Sequence, residues 1–116
     1  MVKVRRIVPD LAAGDPKEVA AFYRTLFDLD ILMDQGWIVT LGAQTGPVQI
    51  SIAAEGGSGA PVPHLSIEVD DVSVVYRRAL ENEVEITYPL TKEPWGVHRF
   101  FLRDPTGKIV NVLSHS

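Results

Sequence analysis

Apolar and polar positions change period several times along this chain, and each change marks a separate element. Val4 to Ala13 alternates as a first strand, with Pro9 inside it. Proline cannot donate to a ladder, so this strand is expected at an edge or with an irregularity there. At Asp15-Pro16-Lys17-Glu18 the period shifts. Asp is a good N-cap, Pro suits the first helical position, and Glu stands three residues after the cap. The spacing predicts a helix to about Phe27 that buries Val19, Phe22, Tyr23, Leu26 and Phe27. Alternation then returns in Asp30 to Asp34, Trp37 to Gly42 and Val48 to Ala54, which read as three strands.

Residues 55–63 (EGGSGAPVP) are dominated by Gly, Ser and Pro and read as a linker that joins no core. The order then restarts. His64 to Val69 reads as a strand, and Asp70-Asp71 caps a helix from Val72 to about Glu81. The buried face of that helix is expected to hold Val72, Val75, Tyr76, Ala79 and Leu80. Val84 to Tyr88 is a strand, Pro89 to Gly96 a loop, and a closing hairpin follows. In that hairpin His98 to Arg103 and Lys108 to Leu113 flank Asp104-Pro105-Thr106-Gly107, whose residue types a type I turn prefers. Both halves therefore read β-α-β-β-β. The repeat shows in residues too, with Val19-Ala20-Ala21-Phe22-Tyr23-Arg24 against Val72-Ser73-Val74-Val75-Tyr76-Arg77. Each half is too small to bury a core well alone, so the halves are expected to pack together or across a dimer.

Composition narrows the function classes. A chain of 116 residues, 46% hydrophobic and 22% charged, is of ordinary globular make-up for one domain. A net charge of −4 gives no basic stripe for nucleic acid. The absence of cysteine excludes disulfides, thiolate catalysis and Cys-rich zinc sites. No apolar run is long enough to span a membrane, and the basic start MVKVRRIVP lacks a signal-peptide core. A cytoplasmic protein is the expectation.

Three stretches carry a family resemblance: Ala21-Phe22-Tyr23-Arg24 with Leu26-Phe27-Asp28-Leu29, then His64 to Asp71, then Phe101-Leu102-Arg103-Asp104-Pro105-Thr106-Gly107. With the paired modules, they make the chain resemble the glyoxalase/bleomycin-resistance/dioxygenase, or vicinal oxygen chelate, superfamily. The resemblance implies an α+β fold in which two βαβββ modules form a curved, mostly antiparallel sheet whose concave face holds the site. The modules would fall at about 1–54 and 64–116 of a single domain. The superfamily hosts lyases, dioxygenases, thiol transferases and binders without chemistry, so the fold alone selects no function.

Metal-dependent members of such a family take one ligand from the first and one from the last strand of each module, typically His then Glu. Here His64 falls at the second module's histidine place, whereas aligning Asp15 with Asp71 puts Val8 at the first. Gln49 and Asn111 fall at the two glutamate places. Amides cancel none of a divalent ion's charge and are weak ligands for zinc or iron. No metal and no other cofactor is expected.

Without a metal, Gln49, Ser51, His64, Arg99, Phe101 and Asn111 are expected to converge, with Trp37 and Trp95 at the rim, as a pocket for a small organic molecule. Amides read heteroatoms, rings stack on planar or cationic ligands, and Arg99 offers a carboxylate or phosphate clamp. Each residue also has a plain structural reading. Trp37 can be core and Trp95 a loop anchor. Arg99 can pair with an acid such as Glu68, and His64 can be a wall residue bonded to its neighbours. The leading expectation is a metal-free, bleomycin-resistance-type binder that forms a homodimer. Two alternatives are a glyoxalase-like lyase or isomerase using His64 as general base, with or without an unorthodox metal site, and a non-catalytic structural or partner-binding dimer.

Overall fold

The computed structural model describes residues 2–115, and the chain divides into two compact units. One holds residues 8–62, the other residues 1–7 with 63–116. The first module runs β1 (Val4–Ala12), α1 (Pro16–Phe27), β2 (Asp30–Asp34), β3 (Ile38–Gly42) and β4 (Gln49–Ala53). The second runs β5 (Leu65–Val69), α2 (Val72–Glu81), β6 (Ile86–Lys92), β7 (Val97–Arg103) and β8 (Ile109–His115). The βαβββ order read from the sequence is thus the order observed, in an α+β fold.

In the unit of residues 8–62, β3 pairs antiparallel with β2 and with β4, and β4 pairs in parallel with β1 from Asp10 onward. That parallel ladder opens just after Pro9, so the missing N–H removes no bond from it. Asp15 caps α1 by accepting from the Glu18 N–H at 3.3 Å. Ala20, Val39, Leu41 and Ile52 form the core between helix and sheet, with Val19 and Tyr23 packed against it. The expected α1 stripe is only partly buried: Phe22, Leu26 and Phe27 are exposed. The stretch 55–63 also differs from expectation. Gly56, Gly57, Ala60 and Pro63 are buried, and the Gly56 N–H donates to the Ala60 carbonyl at 2.7 Å. Residues without bulk fold tightly on themselves when their amides find local partners.

In the other unit the strand order is β5-β8-β7-β6, with β5 parallel to β8 and the rest antiparallel. Asp71 caps α2, and Val72, Ala79, Phe100, Val110 and Val112 form its core. Leu80, expected inside, is exposed. The strand read as ending at Tyr88 continues to Lys92. Pro89 does not break it, because β6 ends the sheet on that side and its register shifts between Tyr88 and Thr91. The closing turn is built as read. The Asp104 carboxylate accepts from the Thr106 N–H and hydroxyl and from the Lys108 N–H, and Gly107 takes φ +88°. The Thr106 hydroxyl, first among these donors, holds the Asp104 carboxyl below the usual aspartate range.

Candidate functional site

Strand register decides which side chains share a face. In the unit containing the second module, α2 covers the face of Ile67, Phe100, Val110 and Val112. The other, helix-free face carries the alternate residues. Ser66 stands opposite Asn111, Asn111 opposite Phe101, and Phe101 opposite Tyr88. The neighbouring row runs Glu68, Leu113, Arg99, Thr91. Of the residues read from the sequence as site residues, His64, Trp95, Arg99, Phe101 and Asn111 belong to this unit.

Asn111 is 9% exposed, and its Nδ2 donates to Ser66 Oγ at 3.1 Å. Its Oδ1 is buried and has no hydrogen-bond partner among the described residues. A buried carbonyl left without a donor costs on the order of 1–3 kcal/mol. Phe101, fully buried, lies 5.1 Å from the Tyr88 ring, centroid to centroid.

Arg99 is 3% exposed and makes its ion pair with Glu93 rather than with Glu68. Its Nε and Nη2 both lie 2.6 Å from Glu93 Oε2, and Tyr88 Oη donates to the same oxygen at 2.8 Å. The rings of Tyr88, Phe101 and Trp95 surround the guanidinium carbon at 4.9, 4.9 and 5.1 Å. Glu93 opens the four-residue β6–β7 connection, which its N–H closes by donating to the Val97 carbonyl, and Gly96 there has φ +92°. Trp95 thus sits half-buried in a hairpin loop and stacks on Arg99. Nothing in the hydrophobic periodicity marks Glu93. Its signal is a carboxylate six residues before a buried arginine, across a turn.

His64 precedes β5 and is exposed. Its backbone N–H donates to the Ile109 carbonyl, and its Nδ1 accepts from the Ile109 N–H at 3.2 Å. An acceptor at Nδ1 puts the proton of the neutral ring on Nε2.

At the edge of the same face, Glu68 bonds Arg6 through Oε1 and His115 through Oε2, the latter at 2.9 Å. A cavity of about 350 Å³ opens there, lined by Arg5, Glu68, Val69, Asp70, Ser114 and His115. Burial pushes the Glu68 carboxyl up, but the bonds from His115 and Arg6 outweigh it and leave the group below its ordinary range. A depressed carboxylate contributes stability above its unfolded value of about 4.3, and that contribution fades as pH falls through the lower folded value. Thermal melts between pH 6 and 3 are therefore expected to fall less steeply for Glu68→Gln than for the parent. Parallel curves for the two proteins would contradict this.

In the unit of residues 8–62, Thr40 and Ser51 face one another with hydroxyls 2.7 Å apart, both buried, and Asp10 pairs with Ser51 from the other side. Gln49 stands opposite Gly42. A Cβ on Gly42 would meet the Val48 carbonyl at 2.4 Å and Leu32 at 2.7 Å, so glycine is required beside Gln49. Trp37 lies one residue before β3, half-buried, its carbonyl accepting from the Ala54 N–H. Sequence patterning did not single out Asp10. The signal was available, because it lies two residues after Val8 and so on the same face.

The residues that the resemblance puts at the four ligand places are of types that do not suit a divalent ion. Val8 is buried and apolar, Gln49 and Asn111 are amides, and the Nδ1 of His64 is engaged by Ile109. Among the described residues no three His, Asp or Glu side chains stand where they could share a metal.

Paired βαβββ modules, each with a helix-free face of mixed polar and aromatic residues, define a class of α+β proteins built by module repetition. Comparison with known proteins gives the class its family. The model of the Glyoxalase/Bleomycin resistance protein/Dioxygenase superfamily matches residues 3–112, and the chain belongs to that superfamily. Solved structures agree in fold. The structure titled NAD-dependent benzaldehyde dehydrogenase from Legionella pneumophila has TM-score 0.77 at 19% identity, over 95% of this chain and 99% of that one. A superfamily member from Vibrio splendidus 12B01 has TM-score 0.69 at 18% identity, over 97% and 99%. Methylmalonyl-CoA epimerase from Mycobacterium tuberculosis has 0.67 at 13% identity, over 97% and 87%. None of the curated proteins matches the chain. Among the described residues no helix is long and apolar enough to cross a membrane.

Proposed function

We propose that this superfamily member binds a small organic molecule without a metal, on the helix-free face around Asn111, and sequesters it as bleomycin-resistance-type binders do. One observation carries the reading: an amide stands at a family ligand place, nine-tenths buried, with its carbonyl oxygen lacking a partner among the described residues. Such an oxygen is satisfied by a donor brought in from outside. The fully buried Phe101 ring backs this face beside it, and half-buried Trp95, lying over the neighbouring Arg99, offers the ring on which a ligand would stack. A planar molecule with an N–H or O–H edge fits this chemistry. Arg99, neutralised by Glu93 and boxed by three rings, serves in this reading as the rigid floor of the face rather than as an anion clamp. His64, in the same unit, is proposed as a further ligand contact, and Trp37, Gln49 and Ser51 are proposed as ligand contacts within the unit of residues 8–62. We place the protein in the cytoplasm as a homodimer.

The engaged Nδ1 of His64 supports binding over catalysis. In the neutral ring the remaining nitrogen carries the proton and can donate, whereas a general base needs a free lone pair there. Titration of tryptophan fluorescence with a panel of planar antibiotics and metabolites tests the proposal. Saturable binding is expected, weakened about tenfold or more in Asn111→Leu, the order expected for one buried hydrogen bond. A panel that leaves the fluorescence unchanged, or equal affinities for the parent and Asn111→Leu, would contradict it.

A further inference from the structure

The rings around Arg99 give the helix-free face a polarity that a ligand has to match. Tyr88 and Phe101 each lie 4.9 Å from the guanidinium carbon, and Trp95 lies 5.1 Å from it. Of these, Phe101 is fully buried, whereas Trp95 is half-buried on the connection between β6 and β7. A ring attracts a cation through the negative potential of its π face. The guanidinium over one face of Trp95 draws that density towards itself and leaves the opposite face poorer in electrons. Glu93 cancels the net charge. It bonds the guanidinium through Nε and Nη2, while the positive carbon itself stands over the ring.

Asn111 adds a second polarity. Its Nδ2 is committed to Ser66 Oγ at 3.1 Å, and its Oδ1 has no partner among the described residues, so the group it offers is an acceptor. Asn111 stands opposite Phe101, two residues along β7 from Arg99. Diagonal neighbours of this kind lie about 7–8 Å apart at Cα, within the reach of two fused rings stacked on Trp95. Glu68, further along the face, is already bonded by Arg6 and His115 and so is taken as a counter-charge.

We propose that the ligand is an uncharged, electron-rich planar ring carrying an N–H or O–H donor, as in the indole class, and that this face rejects cationic rings. The inference rests on the proposed metal-free pocket and names the class of molecule it takes. An electron-rich ring stacks best on a ring whose density is drawn away, and its donor meets Asn111 Oδ1. A cationic ring in the same place meets a like charge. A van der Waals separation of about 3.5 Å beyond Trp95, added to the 5.1 Å on its other side, holds the two charges about 8–9 Å apart in a half-dry site.

NMR titration of the isotope-labelled full chain with indole, N-methylindole and N-methylquinolinium tests this. Indole is expected to bind tightest and to move the Trp95 indole and Asn111 side-chain signals. N-methylindole keeps the ring and loses the donor, and is expected about tenfold weaker. N-methylquinolinium also lacks a donor and adds a charge, and is expected about a further tenfold weaker. In the double variant Glu93→Gln with Arg99→Met, which removes both charges, the gap between the two methylated rings is expected to close to within about twofold. Equal affinities for those two rings in the parent, tighter binding of the cation, or a gap that persists in the folded double variant would overturn the charge preference and leave the metal-free pocket standing. Equal affinities for indole and N-methylindole would overturn the Asn111 contact and the pocket with it. Saturation by none of the three, where a compound of the antibiotic and metabolite panel still binds, would overturn the ring class alone.

Discussion

Glu93→Ala is expected to lose about 3–5 kcal/mol of unfolding free energy, because it leaves the Arg99 guanidinium buried without a counter-charge. Arg99 and Glu93 are 3% and 8% exposed, and one carboxylate oxygen takes bonds from both Arg99 and Tyr88. Three rings around the cation add attraction, but rings do not replace a carboxylate in cancelling a full charge. Arg99→Met is expected to cost a similar amount by stranding the glutamate. The two changes together should cost less than either alone, since neither charge then remains. Urea unfolding of the four proteins completes the cycle. Additive losses would show that the two residues do not act as a pair.

Phe100→Ala is expected to lose about 3–5 kcal/mol through the cavity it leaves. Phe100 is fully buried beneath α2 and meets Tyr76 edge-on at 4.9 Å. It points away from the helix-free face, so ligand affinity measured well below the melting temperature should stay within about twofold of the parent, as expected for sites without shared partners. Lost affinity in a still-folded Phe100→Ala protein would contradict the assignment of the two faces.

Much of this fold was legible in the residues because its signals are local. Asp15, Pro16 and Glu18 fix the start of α1, Asp71 that of α2, and Asp104 to Gly107 the closing turn. Alternation placed Asn111, Phe101 and Arg99 on one face, and register confirms the set. What was not legible depends on more than one segment. Periodicity gives the apolar arc of α1 but not which part a sheet covers, so Phe22, Leu26 and Phe27 were expected inside. Pro89 looked like a strand breaker because nothing local marks β6 as the end of its sheet. The pairing of Arg99 with Glu93 arises across a hairpin whose residue types predict a loop and not a contact. Tight folding of residues 55–63 was hidden for a similar reason, since Gly and Ser signal flexibility until their amides find partners.

Family resemblance and local chemistry answer different questions here. Residues 3–112 place the chain in a superfamily whose fold hosts many chemistries. In the proposed reading Val8, Gln49 and Asn111 stand at ligand places, where an apolar side chain and two amides supply no charge to a divalent ion. The face around Asn111 is then proposed to work by hydrogen bonding and stacking.

The most direct measurement is therefore the fluorescence titration repeated on chelator-dialysed protein and on protein supplied with zinc, nickel or ferrous ion. Saturable binding of the same planar compound with the same affinity in every sample is the predicted result. Binding that vanishes on chelation and returns with one metal ion per chain would contradict it.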